Sequence, residues 1–306
     1  MSTESLQFHR LPRSGSKAPD RQLRVWLPHG YDESTQRYPV LYLLDGQNLF
    51  GAKTAFGGVS WRAATTAQRL IDGGRMAPVI LVGLDNAGAG RTDEYTQVAW
   101  RGRGGGSDAF ARLLVDKIKP FVDRHYRTLP GHATTAVGGS SLGGLASLVL
   151  GLERPDVFGH VMAMSPTVLW GNGHLLRHVA ALPRRLPVRI WLDAGKQETA
   201  KMRQGTQELA KLLVAKGWKK HRTARLASLR QIEVPKSRHD EASWGRRLDR
   251  ALPFLFPPPP KRASRKKNKV PASSNRTPAL RVAVAGAVAG TVEARCSRGS
   301  NGSIKR

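Results

Sequence analysis

Three short apolar runs in the first 256 residues constrain what this chain can fold into. They are VLYLL at 40–44, VILVGL at 79–84 and RIWL at 189–192. Strands that are apolar along nearly their whole length must be covered on both faces, as in a parallel sheet between two layers of helices. Segments with helical apolar spacing separate these runs. This alternation predicts a doubly wound α/β fold, with a mostly parallel sheet and helices on both of its faces.

The same patterns predict the individual elements. We expect seven strands, at 24–27, 40–44, 78–84, 134–138, 160–164, 188–192 and 229–234. One helix is expected to begin at Ser107, whose hydroxyl can cap it, and further helices are expected over 141–152, 206–216 and 241–254.

The composition changes abruptly after residue 256, where four prolines occupy positions 257–260. Residues 257–306 contain twelve Lys and Arg residues and a single acidic residue, Glu293. A segment of this composition buries too little apolar area to offset the entropy lost on ordering. We therefore expect one domain over residues 1–256 and a disordered basic tail over residues 257–306.

Basic residues dominate the charge of the whole chain, with 50 Lys and Arg against 22 Asp and Glu and a net charge of +28. Such a field attracts phosphates and other anionic surfaces without selecting among them. The tail contains no aromatic side chain that could stack on a base. The basic tail therefore predicts an anionic polymer as a partner, bound without sequence specificity.

Cysteine content and hydropathy indicate the compartment. The single cysteine, Cys296, excludes an internal disulfide and a metal site built from cysteines, which agrees with a reducing compartment. The N-terminal residues MSTESLQFHR contain no apolar signal-peptide core, and no run of 18 apolar residues occurs in the chain. We therefore expect a cytoplasmic protein that does not span a membrane.

A nucleophile-elbow pattern follows the fourth expected strand. The pentapeptide GSSLG at 139–143 lies between a β-branched run and an apolar helical segment. In such an elbow the serine occupies a strained turn, and flanking glycines let the strand and the helix pass closely. The pattern predicts Ser141 as a nucleophile. The alternatives are an ordinary Gly/Ser loop at a βα junction and a phosphate-binding helix N-terminus.

A serine hydroxyl becomes nucleophilic when a base removes its proton. His239 follows the last expected strand, at the carboxyl edge where open α/β sheets form their sites. The other histidines lie before the expected acid, beside the strand that precedes the elbow, in the N-terminal region or in a basic segment. His239 is therefore the predicted base, and the alternative is an ordinary histidine of a surface loop.

The acid that orients this histidine is expected after the strand RIWL, where two carboxylates occur. Asp193 lies at the end of the strand, and Glu198 lies in the following loop. We favour Glu198 for its longer reach and keep Asp193 as the alternative acid. The role of this acid would be to hold the imidazole in one tautomer and to stabilise the imidazolium.

Two backbone amides are predicted to bind the developing oxyanion. One belongs to the residue after the nucleophile, Leu142. The other belongs to Gln47, in the loop DGQNLF after the strand VLYLL, where Gly46 permits a tight turn. Asp45 at the start of this loop is better suited to bracing it than to catalysis.

Six segments together resemble the putative esterase family of α/β-hydrolases, over roughly residues 20–256. They are YPVLYLLDGQNLF, VGLDNAGAGRTDEY, AVGGSSLGGLASLVLGLERPDVFG, MSPTVLW, LDAGKQE and RHDEASWGRRL. The resemblance is to the branch that includes esterase D, enterobactin esterase, bacterial feruloyl esterases and the mycolyltransferases. It implies an α/β-hydrolase fold with Ser141 as nucleophile, Glu198 as acid, His239 as base, and Gln47 and Leu142 as oxyanion donors.

The resemblance also implies a set of substrate-binding residues. Asn86, Arg91, Glu94 and Tyr95 would border the acyl or alcohol pocket, and Trp170 would form a wall. Arg91 and Glu94 could equally pair with each other and brace their loop. The basic surface, the insertion over 216–228 and the basic tail depart from the family pattern.

We therefore expect a serine hydrolase that cleaves carboxylic esters through an acyl-enzyme, without a metal or organic cofactor. Its substrate would be a small-molecule or conjugated ester. The same triad permits acyl transfer to an alcohol and cleavage of peptides or thioesters, because these reactions share one tetrahedral intermediate. The alternative from a different class is a non-catalytic binding module that the basic tail anchors to an anionic polymer.

Overall fold

A computed structural model describes residues 6–12, 20–221 and 223–258. The strands are β1 (Leu6–Leu11), β2 (Arg21–Trp26), β3 (Val40–Leu44), β4 (Ile80–Leu84), β5 (Ala99–Trp100), β6 (Arg103–Gly104), β7 (Thr135–Ser140), β8 (His160–Met164), β9 (Arg189–Gly195) and β10 (Leu229–Val234). The α-helices are α1 (Ala63–Asp72), α2 (Arg91–Tyr95), α3 (Ser107–Arg112), α4 (Lys119–His125), α5 (Leu142–Glu153), α6 (Trp170–Ala181), α7 (Ala200–Ala215) and α8 (Glu241–Leu255).

Eight strands form one sheet in the order β1-β2-β4-β3-β7-β8-β9-β10. The six strands from β4 to β10 in this order are parallel to their neighbours. The strands β1 and β2 are antiparallel and extend one edge of the sheet. The predicted mostly parallel sheet is confirmed, and the antiparallel edge strand β1 is an addition that the apolar pattern did not predict.

The sheet is buried on both faces, as the uninterrupted apolar runs predict. Along β3, Val40, Tyr42 and Leu44 pack into one apolar cluster with residues of α3 to α7. The alternate residues Leu41 and Leu43 pack into a second cluster with residues of α1 and α8. Because successive side chains of a strand point to opposite faces, helices must cover both faces of such a strand.

The first helix after β6 differs in detail from the expectation. Ser107 is its first residue rather than its cap, since Gly106 occupies the N-cap position and Ser107 is buried. The helix continues from α3 through a π-helical turn at Leu113–Ile118 into α4. The helix α8 is capped by Asp240, whose carboxylate accepts from the amide of Ser243 at 2.7 Å. This cap fixes the chain directly after residue 239.

The described residues, 6–258 with the gaps given above, form one compact unit by their contacts. The predicted disordered tail lies outside the described residues, apart from residues 257 and 258, and stays a prediction. In the part of the chain that the structure describes, no helix is long and apolar enough to cross a bilayer.

Candidate active site

The turn between β7 and α5 holds Ser141 in a strained conformation. Its φ and ψ angles are 56° and −122°, a positive-φ conformation that costs on the order of 1–3 kcal/mol and is typical of functional sites. A Cβ atom on Gly139 would lie 2.7 Å from the carbonyl carbon of Gly143. The strand and the helix can therefore approach this closely only because residue 139 is a glycine. Ser141 lines a cavity at the carboxyl edge of the sheet.

His239 and Glu198 lie next to Ser141. The Nε2 atom of His239 is 3.0 Å from the Oγ of Ser141. The Nδ1 atom of the same ring is 3.4 Å from the Oε2 of Glu198. The indole of Trp244 packs edge-on against the imidazole, with the ring centroids 4.8 Å apart. The three residues come together because each follows the carboxyl end of a parallel strand, namely β7, β9 and β10.

The carboxylate of Glu198 is completely buried and accepts several hydrogen bonds. Its Oε1 accepts from Ser165 Oγ at 2.6 Å, from the amide of Gly195 at 2.8 Å and from Arg247 Nη2 at 2.9 Å. Burial acts to raise the pKa of Glu198, but the hydrogen bonds from His239, Ser165 and Arg247 outweigh it and lower that pKa to about 2. Glu198 therefore faces the imidazole as an anion.

Asp193, the alternative acid, faces away from the imidazole. Its Oδ2 accepts from Trp191 Nε1 at 2.8 Å and its Oδ1 accepts from Arg247 Nη1 at 2.8 Å. Burial raises the pKa of Asp193, although Arg247 acts against the shift. Of the two carboxylates after the strand RIWL, the structure thus places Glu198 at the histidine.

The loop after β3 brings Gln47 to the cavity. A Cβ atom on Gly46 would lie 2.6 Å from the carbonyl carbon of Gly83, so only glycine allows this loop to pack against β4. Gln47 lines the cavity together with Ser141. Leu142 is the first residue of α5, so its amide has no acceptor within the helix. The amides of Gln47 and Leu142 are thus candidate oxyanion donors.

Asn86 and Arg91 also line this cavity, which has a volume of about 640 Å³. Both are held by Asp45, which has φ 59° and is buried. Asn86 Nδ2 donates to Asp45 Oδ1 at 2.7 Å. The guanidinium of Arg91 donates to both oxygens of that carboxylate, at 2.7 and 2.8 Å. Asp45 therefore braces one wall of the cavity.

Glu94 and Tyr95 do not line this cavity. Glu94 is buried and forms an ion pair with Arg21 of β2, whereas Arg91 forms one with Asp45. The hydroxyl of Tyr95 accepts a hydrogen bond from the amide of Asp45 at 3.1 Å. The two side chains lie on the face of α2 that packs on the core, and burial raises the pKa of Tyr95 well above its usual range. Both side chains lie on the core side of the cavity wall and support it there.

Trp170, the expected wall, lines a second cavity of about 220 Å³. Its ring contacts that of Trp100 at 5.4 Å between centroids, and its Nε1 donates to the carbonyl of Val98 at 2.8 Å. Thr167 also lines this cavity, and its Oγ1 is 3.5 Å from the Oγ of Ser141. The second cavity, mainly apolar, therefore adjoins the serine at Thr167.

Arg247 and Ser165 were not predicted from the sequence. The guanidinium of Arg247 contacts both Asp193 and Glu198, and Ser165 Oγ accepts from Arg247 Nη1 at 2.6 Å. A signal for Arg247 did exist. It follows Trp244 by three residues and precedes Ala251 by four, which places it on the apolar face of α8. A charged residue on such a face indicates a buried partner.

Glu241 was also not predicted. It is the first residue of α8 and lines the same cavity as Ser141. Its carboxylate accepts from Asn48 Nδ2 at 3.1 Å and from the indole of Trp61. Burial raises the pKa of Glu241, against the hydrogen bond from Trp61. Within the described residues, no group of three or more His, Cys, Asp or Glu side chains could hold a metal ion.

Comparison with known proteins identifies the family. A family model described as "Putative esterase" matches residues 14–255. This chain belongs to that family. The putative esterase match covers the elbow, the candidate acid and the candidate histidine in one continuous alignment, so the resemblance noted from six segments is confirmed.

Two curated relatives of this family member are similar in sequence. The ferri-bacillibactin esterase BesA of Bacillus subtilis is 27% identical over 197 residues, which cover 56% of this chain and 65% of the relative. The endo-1,4-beta-xylanase/feruloyl esterase of Xylanibacter ruminicola is 30% identical over 243 residues, 76% of this chain and 29% of the relative. The match therefore spans less than two thirds of either relative.

Solved structures show the same fold. A BES protein from Bacillus cereus matches with a TM-score of 0.65 at 19% identity, over 84% of this chain and 96% of that chain. The enterobactin esterase FES from Shigella flexneri, crystallised in the presence of enterobactin, matches with a TM-score of 0.62 at 22% identity, over 82% and 58%. The α/β-hydrolase fold predicted for this putative esterase is confirmed.

Proposed function

We propose that this chain hydrolyses carboxylic esters, with Ser141 as the nucleophile, His239 as the general base and Glu198 as the acid that orients the base. The observation that carries the proposal is the 3.0 Å contact between His239 Nε2 and Ser141 Oγ. That distance is within the reach required for direct proton transfer. The names of the curated relatives support an ester as the substrate class.

In the first half of the reaction, Ser141 Oγ attacks the ester carbonyl as His239 Nε2 accepts the hydroxyl proton. The amides of Gln47 and Leu142 donate to the oxyanion of the tetrahedral intermediate. The imidazolium then donates its proton to the departing alcohol. The acyl group remains bound to Ser141 Oγ as the acyl-enzyme. The anionic Glu198 stabilises the imidazolium through Nδ1.

In the second half, His239 activates a water molecule that attacks the acyl-enzyme, and the acid is released. The two cavities that adjoin Ser141 support a substrate with two dissimilar parts. The larger cavity carries polar side chains such as Asn86 and Arg91 beside apolar ones such as Phe56 and Trp244. The smaller one is lined by Trp100 and Trp170. A small-molecule or conjugated ester with a polar half and an apolar half fits this division.

The first test is replacement of the nucleophile. Ser141→Ala is expected to reduce kcat for p-nitrophenyl acetate on the order of 10⁴-fold or more, because the covalent route is lost. Ser147→Ala is the matched control. It lies six residues further along, on the same helix, and its hydroxyl donates only to the carbonyl of Gly143. Undiminished turnover by Ser141→Ala would refute the proposal.

A fluorophosphonate probe locates the nucleophile independently. We expect one labelled peptide, containing Ser141, in the wild-type chain and no label in Ser141→Ala. Product analysis in the presence of a competing alcohol separates hydrolysis from acyl transfer, because only transfer yields a new ester. A predominant new ester would reassign the chain as an acyltransferase on the same three residues.

A further inference from the structure

Three charged side chains form a buried cluster behind the imidazole, which we call the inner cluster: Asp193, Glu198 and Arg247. The side chains of both carboxylates are 0% exposed, and that of Arg247 is 1% exposed. The guanidinium donates through Nη1 to Asp193 at 2.8 Å and through Nη2 to Glu198 at 2.9 Å. One cation is thus shared between two anions in an environment that water does not reach.

The hydrogen bonds of the inner cluster distinguish the two oxygens of Glu198. Its Oε1 accepts from three donors, Ser165 Oγ, the amide of Gly195 and Arg247 Nη2. Its Oε2 contacts His239 Nδ1. A carboxylate with one oxygen held by three donors cannot rotate without breaking several bonds in a buried site. The guanidinium therefore helps to aim Oε2 at the imidazole.

Arg247 is itself held in place. Its Nε donates to Ser237 Oγ at 2.8 Å and its Nη2 donates to the carbonyl of Arg238 at 3.0 Å. Both partners precede His239 in the same loop, so the guanidinium also joins the histidine loop to β9. The planar fork of an arginine can make these contacts at once, whereas a lysine ammonium cannot.

The charges of the inner cluster sum to one negative charge. Asp193 and Arg247 neutralise each other, and the remaining charge resides on Glu198, which faces the imidazole. The imidazolium formed during the reaction is positive, so it and Glu198 together are neutral. Buried ions need such compensation, because water does not screen them.

Resting on the function proposed above, we propose that Asp193 and Arg247 are positioning residues of the hydrolase. In this assignment Arg247 aims Glu198 at His239, and Asp193 cancels the charge of Arg247, so that Glu198 stabilises the imidazolium with its full charge. Neither residue touches the substrate or the reacting atoms.

Other charged groups lie near His239, and their contacts differ from those of the inner cluster. Asp240 caps α8 by accepting from Ser243, with the cations of Arg238 and Arg246 nearby. On α8, Glu241 accepts hydrogen bonds from neutral donors. Arg238 and Arg246 are exposed, so solvent screens their effect on the imidazole. The buried inner cluster is screened much less.

The test is the pH dependence of kcat/KM for p-nitrophenyl acetate, whose acidic limb reports protonation of the base in the free enzyme. Asp193→Asn leaves Glu198 and Arg247 as a neutral pair. We expect the acidic limb to move to lower pH by about one unit, because the imidazolium loses a net negative neighbour. The double variant Asp193→Asn/Arg247→Met restores one net negative charge, and we expect its limb to return to the wild-type position.

Arg247→Lys separates positioning from charge. It retains the cation, so we expect an unmoved acidic limb, but it lacks the fork that aims Glu198, so we expect kcat to fall on the order of 10-fold. Arg250→Met is the matched control. It removes an exposed arginine from the same helix and is expected to leave the limb and kcat unchanged. Near-UV circular dichroism establishes that each variant is folded.

The charge assignment would be overturned if the acidic limb of Asp193→Asn did not move. It would also be overturned if the double variant had the same acidic limb as Asp193→Asn. Wild-type kcat in Arg247→Lys would overturn the positioning assignment. These failures are distinct from failure of the proposed function, because Ser141→Ala and the fluorophosphonate label test the nucleophile separately. Should Asp193→Asn not fold, Arg247→Lys alone decides, since both its limb and its kcat are predicted.

Discussion

Two of the arginine–carboxylate clusters at the carboxyl edge of the sheet border the active-site residues, and they differ in burial. In the inner cluster, the side chains of Arg247 and Asp193 are 1% and 0% exposed. The outer cluster consists of Asp45, Asn86 and Arg91, and its arginine is 27% exposed whereas its aspartate is 4% exposed. Each cluster places an aspartate at the end of a parallel strand and an arginine against it.

The difference in burial gives similar ion pairs different roles. The outer arginine lines the cavity, so water and substrate reach it, and its pair with Asp45 mainly holds a loop. The inner arginine lies on the buried face of α8, where solvent cannot screen a change in one charge. A solvent-accessible ion pair mainly holds its loop in place, whereas a buried ion pair also determines the electrostatic environment of the imidazole.

The largest expected contrast between the clusters is in turnover. Glu198→Gln is expected to lower kcat on the order of 10³- to 10⁴-fold, because a neutral amide neither stabilises the imidazolium nor selects its tautomer. Asp45→Asn in the outer cluster is expected to lower kcat on the order of 10-fold, through loosening of the loop that carries Gln47. Steady-state kinetics with one p-nitrophenyl ester measure both. Equal losses would mean that the clusters do not differ in the way proposed.

The next contrast is in stability. Arg247→Met leaves two carboxylates in a site closed to water, and we expect the free energy of unfolding to fall by about 3–5 kcal/mol. Arg91→Met should cost only about 1–2 kcal/mol, because the cavity lets water solvate Asp45. Urea unfolding measures both values, and exposed Arg250→Met controls for the loss of charge alone. A larger loss in Arg91→Met than in Arg247→Met would reverse the comparison.

The smallest contrast is in the acid dependence of stability. The pKa of Glu198 is lowered to about 2 in the folded chain, below its ordinary value of 4.5. Ionised Glu198 therefore contributes stability above the unfolded-state pKa, and that contribution is lost as the pH falls from about 5 to about 2. We expect a loss of about 3 kcal/mol from this group.

Urea unfolding at several pH values checks this expectation. Glu198→Gln should lose less stability than the wild type on acidification through that window. The exposed variant Glu153→Gln serves as the control and should retain the wild-type slope. A wild-type slope in Glu198→Gln as well would show that the buried carboxylate is not the source of the acid sensitivity.

Local patterns were sufficient to place three of the parallel strands. The strands β3, β8 and β10 occupy the predicted residues 40–44, 160–164 and 229–234. The runs of β3 and β8 are apolar and almost fully buried, whereas LRQIEV of β10 mixes apolar and polar residues and is mostly half-buried. The strand β1 escaped prediction because LQFHRL is polar at several positions and gains its order by pairing with β2 at the sheet edge. That pairing is a tertiary fact.

Chain order and residue type were sufficient to select Ser141 and His239 as candidates and to favour Glu198, but they left Asp193 open as the alternative acid. Asp193 lies near the end of β9 and Glu198 in the loop after it, and the direction of each side chain decides which of them contacts the imidazole. Similarly, Arg246 and Arg247 are adjacent and chemically identical, yet the first is exposed and the second is buried. The helical periodicity of α8 predicts which of the two arginines is buried. It does not predict the acid partners of Arg247, because Asp193 and Glu198 come from β9 and the loop after it.

The sequence by itself determined a parallel sheet covered by helices on both faces, a serine turn flanked by glycines and a histidine after the last strand. These follow from apolar periodicity and from local steric limits, which act over a few residues. The tertiary structure decided between the two carboxylates, paired Arg247 with both of them and placed Trp170 at a separate cavity. Those outcomes depend on side-chain directions and on water exclusion, which arise only when segments distant in sequence pack together.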